Sequence, residues 1–186
     1  MSLLASGIYG LLAAASLLAA IPVGTKLEKL SVGGSTIQMA EAPATAVIFV
    51  STTCPISNAY NERMSELYRT YAPKGIRFVF VNSNVTESPA DIERHIKDNQ
   101  LPFTVLKDEQ SQLADLLGAQ FTPEVFLFDR SGVLRYHGYI DDSRNPARIQ
   151  VHGLRQALDA LLAGREIELK ETRAFGCTIK RARKAS

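Results

Sequence analysis

Two apolar runs of strand length constrain this chain most: Ala46–Val50 (AVIFV) and, broken only by Arg77, Ile76–Val81 (IRFVFV). A strand with one wet face alternates apolar and polar residues, so runs like these belong to strands covered on both faces, as in parallel sheets. Between them Tyr60, Met64, Leu67 and Tyr71 recur at three- and four-residue steps. That spacing predicts a helix from about Pro55, ended by Pro73-Lys74-Gly75. Strand, helix, strand in this order is a βαβ unit.

The flanking segments extend the same architecture. Lys26–Met39, with Gly33-Gly34 between Leu30–Val32 and the apolar positions Ile37 and Met39, reads as a β-hairpin before the core. A helix over about Pro89–Asn99 opens at Ser88, a plausible cap with Asp91 three residues on. Phe103–Leu106 suits a sheet edge, and Gln110–Leu117 a short helix stopped by Gly118. Val125–Phe128 and Val133–Tyr139 flank the turn Asp129–Gly132 and form a second hairpin. A last helix is expected over about Arg148–Leu162, with Ile149, Leu154, Leu158, Leu161 and Leu162 on its apolar side. The whole predicts one α/β domain with a mixed sheet and helices on both faces, over residues 25–165. A tail, 166–186, follows.

Residues 8–21 (IYGLLAAASLLAAI) are uncharged but shorter than the ~20 residues of a membrane span. With Ala19 and Ala20 they suit the core and exit of a signal peptide, although no Lys or Arg precedes them. The other reading of residues 1–24 is a helix packed on the domain. The first implies export, in a bacterium to the periplasm; the second implies a cytoplasmic protein. Membrane contact of the mature domain is not expected.

A formal charge of +2 does not point to a nucleic-acid partner, and the basic residues Lys180, Arg181, Arg183 and Lys184 read as a solvated tail. Two cysteines are too few for a disulfide scaffold or a structural zinc site, and His95, His137 and His152 stand far apart. No metal is expected. Neither GxGxxG nor GxxxxGK[ST] occurs, so no nucleotide cofactor is expected either.

Chemistry points to Cys54. Ser51-Thr52-Thr53-Cys54-Pro55 joins the first core strand to its helix, placing the sulfur at unpaired backbone N–H groups and the positive end of a helix. That position stabilises a thiolate and should lower the thiol pKa. Pro55 suits the first helical turn because it lacks an N–H. Ser57 stands where a second cysteine would complete CxxC; its hydroxyl can donate to the sulfur but forms no disulfide. The plain alternative is a small buried cysteine without chemistry.

On these residues the chain, over roughly 25–180, resembles the thioredoxin-like redoxins. That group holds thioredoxins, cytochrome-maturation thiol–disulfide proteins and alkyl hydroperoxide reductase/thiol-specific antioxidant proteins. Cys54-Pro-Ile-Ser57 matches their CxxC turn with its second cysteine replaced, and Thr122-Pro123, before Glu124–Phe128, matches their cis-proline loop. The strings STTCPISNAYNERM, TPEVFLFD, YHGYIDDSRNP and AFGCTIKR also resemble a bacterial redoxin subgroup. The resemblance implies a thioredoxin-like fold with Thr122 beside the sulfur. It also implies that the segments after the second core strand and after the hairpin approach Cys54, bringing Asn82, Asn84, Asp141, Asp142 and Arg144 near it. For these five, loop capping is the other reading.

Lacking a cysteine at 57, the chain cannot use the thioredoxin two-cysteine turn. Against the PxxxTxxC pattern of peroxide-reducing relatives, Ser51 keeps a hydroxyl that could donate to a peroxide, while Val47 replaces the proline. Pro123 stands near where those enzymes supply an arginine. Three activities stay open: thiol–disulfide exchange with a protein or small-molecule disulfide, peroxide reduction, and non-enzymatic docking at the same pole. Either redox activity needs an external thiol reductant, such as a thioredoxin-type donor. Cys177, in the apolar island Phe175-Gly176-Cys177-Thr178-Ile179, is the candidate resolving cysteine. A small hydrophobe that fixes the tail, a static staple, and a cysteine that resolves a partner subunit are the alternatives.

Overall fold

The computed structural model describes residues 19–181, so the predicted leader up to Leu18 and the basic residues Arg183 and Lys184 lie outside the described residues. A five-stranded sheet in the order β5-β4-β3-β7-β8 forms the centre. Its members are β3 (Ala44–Phe49), β4 (Arg77–Asn82), β5 (Val105–Lys107), β7 (Glu124–Asp129) and β8 (Leu134–Gly138). β3 pairs with β4, and β4 with β5, in parallel, whereas β7 is antiparallel to both β3 and β8. The mixed thioredoxin-like sheet read from the sequence is therefore present. The hairpin β1 (Lys29–Val32) and β2 (Ser35–Gln38) precedes it.

Every residue of β3 is buried, and its side chains divide by strand parity. Ala44, Ala46 and Ile48 join Met64, Leu67 and Tyr71 of α2 (Asn61–Tyr71) and Leu154, Ala157 and Leu158 of α5 (Gly153–Leu162) on one face. Val47 and Phe49 join Leu30, Val32 and Leu113, Ala114 and Leu117 of α4 (Gln112–Leu117) on the other. Two covered faces explain the unbroken apolar runs.

Helix boundaries depart from the periodicity in three places. The first helix is kinked, as α1 (Pro55–Asn58) and α2, because Tyr60 N–H bonds to Ser57, three residues back, instead of four. α4 starts at Gln112, since Gln110 and Ser111 are left-handed and the Asp108 carboxylate takes the N–H groups of Leu113 and Ala114. α5 starts at Gly153, not Arg148: Asp142 holds Gln150 N–H and Val151 C=O, which keeps Ile149 out of the helix. Gly153 is required there, because a Cβ would press into the Tyr136 hydroxyl and the Tyr139 ring. α3 (Pro89–Asp98) carries the expected Ser88–Asp91 capping box.

The tail returns along the domain. Lys170 and Thr172 exchange backbone hydrogen bonds with His137 of β8, and β9 (Cys177–Thr178) pairs antiparallel with β6 (Phe121–Thr122). Arg181, expected in solvent, is instead partly buried, its Nε 2.8 Å from Asp115 and its Nη2 donating to the Ala119 carbonyl. Among the described residues no helix is long and apolar enough to cross a membrane.

Candidate active site

Past β3 the chain runs over the sheet's end and delivers Cys54 to the N-cap of α1. The loop is held from beneath. Ser51 Oγ accepts from the N–H groups of Cys54 (3.0 Å) and Thr53 (3.2 Å) and donates to Glu87 Oε1 at 2.6 Å. Glu87, buried in the loop after β4, also accepts from Thr52 N–H, from the Thr52 and Thr53 hydroxyls, and from Asn82 Nδ2. Burial alone would raise the pKa of that carboxyl, but the hydrogen bonds from Ser51, Thr52 and Asn82 outweigh it and hold the group below its ordinary value. Glu87 is thus an anion whose donors are the backbone and side chains of the cysteine loop. Ser57 is buried, its Oγ accepting from Ser51 N–H, and it is the Ser57 backbone N–H that points at Cys54 Sγ, 3.3 Å away.

Opposite the sulfur lies the loop before β7. The Thr122-Pro123 bond is cis, and the Thr122 carbonyl oxygen sits 3.4 Å from Cys54 Sγ. A second buried carboxylate fixes this loop. Glu124 Oε2 accepts from the N–H groups of Gln120 and Phe121, and Oε1 lies 2.8 Å from His137 Nε2 on β8. Each loop that frames the sulfur is therefore clamped by its own glutamate.

The third wall is the tail. Cys177 is disulfide-bonded to Cys54, with Cα atoms 5.9 Å apart across 123 residues of sequence. Cys54 is only 3% exposed, whereas Cys177 is half-buried. Phe175 packs on Tyr60 and Tyr139, with ring centroids 6.4 Å away in both cases, and Ile179 is buried among the residues of the opposite sheet face. The tail thus spans the sheet's end, anchored on one core cluster at Phe175 and on the other at Ile179.

Cys54, Ser51, Ser57, Thr122, Pro123 and Cys177 converge in this place. The five further polar residues divide. Asn82 joins the Glu87 network, and Asn84 accepts from Lys180 N–H and so pins the tail. Asp141 makes a buried ion pair with Arg63 at 2.7 Å; Arg63 covers the Tyr60 ring, so this pair buttresses the Phe175 seat at one remove from the sulfur. Asp142 caps its own loop through Gln150 N–H. Arg144 is exposed and gives its carbonyl to Arg63; among the described residues no ion pair or hydrogen bond joins its guanidinium to Cys54. Sequence reasoning missed Glu87, Glu124, His137 and Arg63. A usable signal existed for Glu124, an acid at the head of an apolar strand beside Pro123, since such a charge needs a partner.

The AhpC/TSA family matches residues 23–137. An uncharacterised conserved protein from Geobacillus kaustophilus is 31% identical, with a TM-score of 0.79 over 88% of this chain and 94% of its own. A hypothetical protein from Sinorhizobium meliloti is 30% identical, with a TM-score of 0.77 over 88% and 97%. A Chlorobium tepidum protein named as thiol:disulfide interchange protein DsbE shares 21% identity and the fold, with a TM-score of 0.63 over 77% and 99%. The comparison with curated proteins returns no match.

Proposed function

The chain belongs to the AhpC/TSA family, and from that premise we propose that it is a thiol–disulfide oxidoreductase in which Cys54 attacks the disulfide of a protein or small molecule. It is a redoxin whose Cys54 forms an intramolecular disulfide with Cys177, and that bond, lying against Thr122-Pro123, carries the reading. Reduced Cys54 attacks one substrate sulfur and releases the other as a thiol, leaving a mixed disulfide. Cys177 then attacks Cys54 Sγ, frees the second substrate thiol and closes the Cys54–Cys177 bond. An external dithiol, such as a thioredoxin-type donor, returns the two electrons. Its attack falls on Cys177, the more exposed sulfur, and Cys54 departs as the thiolate that the Ser57 N–H stabilises.

Peroxide reduction is the weaker reading, because the Ser51 hydroxyl proton that would serve a peroxide oxygen is given to Glu87. Export to an oxidising compartment fits a lasting disulfide and belongs to the same proposal.

Single-turnover oxidation of the reduced protein tests it, with a small disulfide and with hydrogen peroxide in parallel. The expected result is fast closure of the Cys54–Cys177 bond by the disulfide, a peroxide rate no greater than that of a free thiol, and only the slow exchange of a free thiol in Cys54→Ser. Faster oxidation by peroxide than by disulfide would replace the oxidoreductase with a peroxidase. Inertness to both would leave a docking module.

A further inference from the structure

The strand that brings Cys177 to Cys54 is held as an extended guest would be. Thr122 pairs with Cys177 and Phe121 with Thr178, Ile179 N–H donates to the Gln120 carbonyl (2.9 Å), and Thr122 Oγ1 approaches the Cys177 carbonyl. The side chains along it are sorted by position. Two residues before the cysteine, Phe175 sits between Tyr60 and Tyr139. At the preceding position only glycine fits, since a Cβ on Gly176 would collide with the Thr122 carbonyl. Thr178 faces solvent, and Ile179, two residues after, is 3% exposed.

We propose that this seat is the substrate-recognition site and that the tail is an internal copy of the substrate. The partner is an extended protein segment with an aromatic residue two before its disulfide-bonded cysteine, glycine immediately before it, and an aliphatic residue two after. This rests on the oxidoreductase reading, and it goes further by specifying which disulfides are taken. Cys54 is covered while the tail is seated, and once the tail has left, an extended chain that presents sulfur to it finds its strand edge where β9 ran, because Thr122 offers that edge beside the sulfur. Tail and substrate are therefore mutually exclusive. The substrate segment occupies the seat once the Cys54–Cys177 bond is reduced, and its cysteine becomes the mixed-disulfide partner of Cys54. Cys177 then displaces it as a thiol while the tail retakes the strand edge. Two protein thiols become one disulfide and one substrate disulfide becomes two thiols.

The probe is a peptide with the sequence of residues 174–180, its cysteine carried as a mixed disulfide with thionitrobenzoate, whose release is coloured. Full-length Cys177→Ser, which retains the peptide adduct, and reduced wild-type protein are both assayed. The native peptide should react about tenfold faster than its Phe175→Ala, Gly176→Ala or Ile179→Ala versions, the loss expected from one missing anchor. The Thr178→Ala version should match the native one. Equal rates for native and scrambled peptides, while a small aromatic disulfide still reacts with Cys54, would overturn the inference and leave the oxidoreductase standing. Failure of the small disulfide as well would strike the oxidoreductase itself. A disulfide-linked dimer of the wild-type chain in place of the intramolecular Cys54–Cys177 bond would give the seat to a second copy and also overturn the inference.

Discussion

The two cysteines of the site are held in opposite ways. Cys54 lies in a loop nailed to the domain by charge: five donors from residues 51–53 and 82 converge on the buried Glu87 carboxylate, and Ser51 passes that restraint to the Cys54 N–H. Cys177 rides on a tail held by a two-residue strand, two apolar anchors, the polar contacts of Lys180 and Arg181 near its end, and the disulfide itself. Hydrogen bonds to a buried anion are lost only together with the fold around them. A short edge strand held by separate local contacts can detach alone once its covalent tether is cut. The difference suits a nucleophile that must keep its geometry through the cycle and a resolving group that must leave and return.

Cutting the tether should give the largest effect. The bond closes a loop of 123 residues, for which the chain-entropy view gives about 4–5 kcal/mol. Urea unfolding of oxidised and reduced protein should differ by roughly that amount. Hydrogen exchange should show residues 174–181 losing protection on reduction while residues 51–54 keep theirs. If both segments loosen together, the contrast between them is wrong. Removing the anchor of the other region should come second. Glu87→Ala strands the donors of Ser51, Thr52, Thr53 and Asn82 at a buried spot, an expected loss of about 3 kcal/mol. The oxidation rate of Cys54 should fall with it. A variant as stable as wild type in urea would show that the clamp carries no weight.

The sheet was legible because its physics is local to each segment. AVIFV and IRFVFV could only be strands covered on both sides, and the Ser88–Asp91 box set the start of α3. Helix starts were harder, since α4 and α5 begin where side chains from other turns, Asp108 and Asp142, divert the backbone. Cys54, Thr122-Pro123 and Cys177 were legible as motif positions in a resembling family. The clamps were not. Glu87 reads in sequence as one more acid in a polar loop, and its meaning depends on a segment over thirty residues upstream folding across it. Glu124 and His137 likewise acquire a partner only when β7 and β8 pair. Asp141 was expected beside the sulfur but pairs with Arg63, a contact that exists only once α2 and the loop after β8 are folded together across 78 residues of sequence.

The smallest expected effect isolates the charge of the clamp from its shape. The carboxyl of Glu87 is held below its ordinary value in the folded protein, chiefly by the hydrogen bonds that outweigh its burial, while the unfolded chain titrates near the usual glutamate value of about 4.3. A group depressed in this way contributes stability that is fully present above the unfolded value and is lost as pH falls through the folded one. Glu87→Gln keeps the length of the side chain and one acceptor, but it places an amide donor against Thr52 or Ser51. It should therefore be less stable than wild type at neutral pH and should lack this share of the acid dependence. Urea midpoints measured from about pH 7 to about pH 3 should show the two proteins converging as pH falls. Asp91, also depressed by its contacts to Ser88, is common to both and cancels. His95, whose pKa burial lowers while the Glu87 charge works against that shift, also responds to acid, and making the comparison in a His95→Gln background removes it from both curves. Parallel curves across the acid range would mean that Glu87 holds the cysteine loop by shape and not as an anion.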